Sequence, residues 1–75
     1  MAFSDIIKNT RKRAFLTQEQ FASEIHSSVA SINRWENGRG KPNLITMKNI
    51  KEFCKTNSIP YDEIETEWLS YSKED

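Results

Sequence analysis

The chain has 75 residues, 36% of them hydrophobic and 29% charged, with Lys/Arg and Asp/Glu in equal number. That balance excludes a disordered polyelectrolyte, and a chain this short buries only about 60% of its unfolded surface, in one small core. Its single cysteine, Cys54, excludes an internal disulfide, and no apolar run is long enough for a signal peptide or a membrane span, so the expected setting is the cytoplasm with no membrane partner.

In chain order, Ser4 is a candidate cap for a first helix carrying Ile6, Ile7, Thr10 and Ala14 on one side. Thr17 followed by Gln20 has the spacing of a capping box, and Leu16 stands where a hydrophobic staple would pack on Phe21. Phe21, Ala22 and Ile25 make the inward face of this second helix. The stretch "HSS" breaks it, and Ser28 is the expected cap of a third helix that stops at Asn37-Gly38. Asn43 caps a fourth, with the stripe Leu44, Met47, Ile50, Phe53 and Cys54 and with Asn57 as a left-handed terminator. After Pro60, Ile64, Trp68 and Tyr71 recur at four and three, with Leu69 beside them. No segment alternates with the period of a strand, so the expected fold is all-α, a compact domain of five short helices.

The third helix has two unlike faces. At about 100° per residue, Ser31, Ile32, Trp35 and Glu36 fall on one half and Val29, Ala30, Asn33 and Arg34 on the other. The first half holds the large apolar side chains and packs. The second lacks the Glu, Lys and Gln usual on a solvated face. Small apolar groups let a helix approach a surface closely, their methyls suit the thymine methyl of a major groove, and Asn and Arg bond base edges or phosphates. Two exposed small side chains are equally ordinary on any protein.

Helix, short turn, helix is the arrangement that presents a recognition helix. With "TQEQFA" opening the second helix, Ile32 and Trp35 packed in the third, and "RWENGRGKPNLITM" following, residues 6–54 resemble the Cro/repressor-type (XRE) helix-turn-helix family. The resemblance implies a DNA-binding set of Gln18 and Ser28 on phosphate, Val29, Ala30, Asn33 and Arg34 facing the groove, and Asn37, Arg39 and Lys41 along the sugar-phosphate backbone. It also implies a structural ion pair between Arg11 and Glu36. His26 stands where the family usually has glycine at positive φ, and Ser27 where it usually has an apolar residue.

Charge fits this division. Residues 1–59 carry ten Lys/Arg against five Asp/Glu, a net of +5, and form the helix-turn-helix domain; residues 60–75 carry −5. The second stretch is expected to be an acidic amphipathic helix packing on the domain or on a dimer partner, away from DNA. The implied function is a sequence-specific double-stranded DNA-binding transcriptional regulator, repressor-like, acting as a homodimer on an inverted-repeat operator. The alternative is a protein-interaction module that keeps the fold without specific DNA readout. The lone histidine has no Cys or carboxylate cluster beside it, and no glycine loop is built for phosphates, so neither a metal, a cofactor nor catalysis is expected.

Overall fold

A computed structural model describes residues 2–71 as five helices: α1 (Phe3–Arg13), α2 (Gln18–Glu24), α3 (Val29–Glu36), α4 (Leu44–Thr56) and α5 (Asp62–Leu69). No strand occurs among the described residues. None of the helices is long and apolar enough to cross a membrane.

Local chemistry sets most of the starts. Thr17 accepts from the Gln20 amide and Gln20 accepts from the Thr17 amide, closing the capping box at 3.1 and 2.9 Å. Ser28 accepts from the Ser31 amide and Asn43 from the Thr46 amide, each relieving one of the unpaired N–H groups at a helix start. The first helix departs from expectation: its cap is Ala2 with no side-chain bond, and Ser4 lies inside the helix. Phe3 accounts for this, because it is buried in the core and draws the chain into helical register two residues early.

The core is a single cluster of Phe3, Ile6, Ile7, Phe21, Ala22, Ile25, Ile32, Trp35, Met47, Ile50, Phe53, Cys54 and Ile64. Helix α1 packs on α3 and α5, and α2 packs on α3. Each fully buried aliphatic such as Ile32 contributes about 1.5–3 kcal/mol relative to exposure. The Phe21 and Phe53 rings meet edge to face at 5.2 Å, and Asn49 donates to the Ile25 carbonyl, fastening α4 to the end of α2. Two side chains of the expected stripes lie outside the core. Leu44 is exposed because it occupies the first position of α4, on the turn before that helix meets its neighbours. Leu69 is exposed as well, while Ile64 is buried and Trp68 and Tyr71 are half-buried against the cluster.

Four helices end alike. Phe15, His26, Gly38 and Ser58 have φ of 58°, 57°, 73° and 56°. The next amide reaches back in each case, from Leu16 to the Arg11 carbonyl, Ser27 to Ala22, Arg39 to Arg34 and Ile59 to Cys54. This is the Schellman closure. Asn57 is not the left-handed residue of α4; at φ −99° it is the cap, and its side chain donates to the Phe53 carbonyl.

Candidate nucleic-acid interface

The turn Ile25–Ser28 sets α3 against α2, and Ile32, Trp35 and Glu36 point into the molecule. Val29, Ala30, Asn33, Arg34 and Asn37 are left exposed on the outer side of the same helix. The face is thus small and apolar at its start and polar at its end, and it runs directly into the loop of Gly38, Arg39, Gly40 and Lys41.

One buried carboxylate holds the end of this helix in place. Arg11 donates through Nε to Glu36 Oε2 at 2.7 Å and through Nη2 to Oε1 at 3.0 Å. Its Nη1 donates to the Leu16 carbonyl at 2.9 Å. The hydrogen bond to Glu36 raises the Arg11 pKa against the opposing effect of burial. Gln18 completes the cluster by donating Nε2 to Glu36 Oε1 at 3.1 Å. Helix α1, the start of α2 and the end of α3 therefore meet on one carboxylate. A Gln amide has two N–H donors, so this bond leaves one for an outside acceptor.

The other expected contact residues sit as follows. Ser28 Oγ, besides capping, donates to Ser31 Oγ at 3.0 Å, so its hydroxyl is engaged by the helix start. Asn37 turns its amide back onto Asn33, at 2.7 Å to the carbonyl and 3.2 Å to Oδ1. The Arg34 guanidinium lies across Gly40, with Nη2 3.2 Å from where a Cβ on that glycine would stand. A side chain there would make the guanidinium shift by a few tenths of an ångström, so the glycine allows this close approach. Arg39 is exposed. Lys41 turns the other way: its ammonium donates to the Trp68 carbonyl at 2.8 Å and lies 4.2 Å from the centre of the Trp68 ring.

The structure thus gathers Val29, Ala30, Asn33, Arg34, Asn37 and Arg39 on one contiguous surface, with Gln18 joined to it through Glu36. Lys41 is directed to α5. Sequence reasoning missed the reach of α5 back to this loop, where Trp68 Nε1 donates to the Pro42 carbonyl at 2.7 Å and Tyr71 Oη to the Gly38 carbonyl at 3.3 Å. The partners are 26 and 33 residues apart, and nothing local signals them.

A family model described as helix-turn-helix matches residues 7–59. The HTH-type transcriptional activator BcrR of Enterococcus faecalis is 36% identical over 64 residues, which cover 85% of this chain and 30% of that protein. The cryptic phage CTXphi transcriptional repressor RstR of Vibrio cholerae is 33% identical over 70 residues, covering 93% of this chain and 60% of RstR. The chain therefore spans less than two thirds of either relative. No solved structure matches.

Proposed function

This chain belongs to the Cro/repressor-type helix-turn-helix family, and from that premise we propose that it is a sequence-specific, double-stranded DNA-binding regulator of transcription, working in the cytoplasm. The observation that carries the reading is the exposed face of α3, Val29, Ala30, Asn33 and Arg34, running without a break into the loop of Asn37 and Arg39. Val29 and Ala30 let the helix start approach base edges and offer methyls to thymine. Arg34 swings off Gly40 to make a base or phosphate contact, and Asn33 bonds a base edge. Gln18, Asn37 and Arg39 address phosphates, while Ser28 serves the helix start and Lys41 the loop, and the cations Arg34 and Arg39 make binding salt-dependent. The two relatives bear opposite signs in their names, activator and repressor. The shared part of the reading is operator occupancy, and repression follows where the operator overlaps a promoter.

We also assign a homodimer to the bound state. Leu44, Ile45 and Leu69 are exposed around the half-buried Trp68. Lys48, Lys51 and Glu65 line a groove with Leu44, Trp68 and Leu69, and Ile45 lies beside Leu44 and Trp68 next to it, so a two-fold copy finds both apolar surface and both charge signs.

Selection from a random duplex library at near-physiological salt tests the reading. The expected result is an enriched inverted repeat with half-sites about 34 Å apart. Arg34→Ala then relaxes the preference at one base position in each half-site, by about 1–3 kcal/mol. An absence of enrichment, with weak and purely salt-labile binding, would replace this reading with a protein-interaction role for the same helix face.

A further inference from the structure

We propose that the end of α5 sets the position of the loop that meets the DNA backbone, with Trp68 and Tyr71 as positioning residues; this rests on the DNA-binding reading above. The loop has little holding it from within. The Gly38 and Arg39 amides bond back to Trp35 and Arg34 to close α3, and no backbone–backbone hydrogen bond among the described residues then involves Gly40, Lys41 or Pro42. What holds them comes from the far end of the chain. Trp68 donates to the Pro42 carbonyl, Tyr71 donates to the Gly38 carbonyl, and Lys41 donates to the Trp68 carbonyl.

These bonds hold the loop at its start, at Gly38, and at its end, at Lys41 and Pro42. The Lys41 ammonium sits 4.2 Å from the Trp68 ring centre and 5.8 Å from that of Tyr71, and it meets the carbonyl end of α5, where the helix dipole favours a cation. The Tyr71 ring stands edge to face with Phe3 at 6.2 Å, and Phe3 is buried, so the bracket is anchored in the core. The loop is ordered before DNA arrives, and binding avoids the entropy of ordering it. An acidic helix that would repel DNA if it lay in the groove thereby favours binding from behind it. Lys41 acts here through the loop.

The test uses Tyr71→Phe, which removes only the O–H donor, and Trp68→Phe, which keeps an aromatic ring but removes the N–H donor together with part of the indole. Affinity of the full chain for a mixed-sequence duplex is measured across a salt series, beside amide hydrogen exchange and urea denaturation. Each variant is expected to bind roughly threefold to tenfold more weakly, the equivalent of one lost hydrogen bond. Exchange at the Gly38 and Arg39 amides, which close α3 where the loop begins, should accelerate while the amides of residues 32–36 keep their rates. Unchanged affinity and loop exchange in the folded variants, with only the denaturation midpoint lowered, would overturn the inference and leave a purely structural role. If Trp68→Phe does not fold, Tyr71→Phe decides alone, since it deletes a single oxygen. A wild-type chain that shows no salt-dependent binding to the duplex would remove the DNA reading itself, and this inference with it.

Discussion

Phe15 is 93% exposed at φ 58°, a conformation in which an L side chain costs about 1–2 kcal/mol. Burial returns nothing for that strain, and His26 and Ser58, both exposed, stand in the same position of their own helix ends. Glycine would relieve the strain but loses about 0.5–1 kcal/mol of backbone freedom on folding, so the net gain is between about 0 and 1.5 kcal/mol per site. Phe15→Gly, His26→Gly and Ser58→Gly should each raise the urea midpoint at constant m-value, and the gains should add because the sites are at separate helix ends. A loss of stability at Phe15 would mean that the exposed ring stabilises the fold in a way its surroundings do not show. Of these three positions, His26 was legible through the family pattern, which has glycine there. Ser58 was not: residue preference favours Asn in this region, and Asn57 stands next door. Its amide bonds the Phe53 carbonyl from the cap position instead.

The helices themselves were legible because their signals are local. The Thr17 box and the Ser28 and Asn43 caps depend on residues three apart, and the inward faces of α2 and α3 follow from their periodicity. Burial at the ends of the elements was less legible, as Phe3 and Leu44 demonstrate, because it depends on where neighbouring helices begin to overlap. Among the joins between elements, the pair of Arg11 and Glu36 came only from the family pattern; 25 residues separate them. Arg11→Met should cost about 3–5 kcal/mol, because the Glu36 side chain is only 2% exposed and would remain as a buried charge held by Gln18 alone. Pairing that change with Glu36→Gln should cost less than the two single changes added together, since the second removes the stranded charge. Urea denaturation of the four-member cycle reads this, preferably in a Ser58→Gly background so that the weakest variant stays folded. A single-variant cost below about 1 kcal/mol would place the pair among ordinary surface bridges.

At the scale of the whole molecule, net charge says little about what the acidic end does. The net of zero conceals a basic domain and an acidic end, and α5 bonds the loop through the Trp68 ring nitrogen and the Trp68 carbonyl, where its carboxylates play no part. The same helix helps close a core that is sensitive to alkali. Burial pushes the Cys54 thiol up to about 11, and burial, then Glu65 and Cys54, raise the Tyr61 phenol, whose O–H donates to the Met47 carbonyl. Both groups are neutral when folded. In the unfolded chain cysteine loses its proton near pH 8.5–9. Between about pH 9 and 11 the unfolded chain therefore binds fewer protons than the folded one, and stability falls as pH rises; below about pH 9 this contribution is fully present. The thermal midpoint should accordingly hold level from neutral pH to about 8.5 and then decline. Cys54→Ala should flatten the first part of the decline, leaving the later part to Tyr61. Iodoacetamide at mildly alkaline pH should leave Cys54 unmodified in native buffer and alkylate it in urea, because only the thiolate reacts and burial suppresses it. Rapid alkylation of the native chain would mean that the core opens at Cys54 without global unfolding.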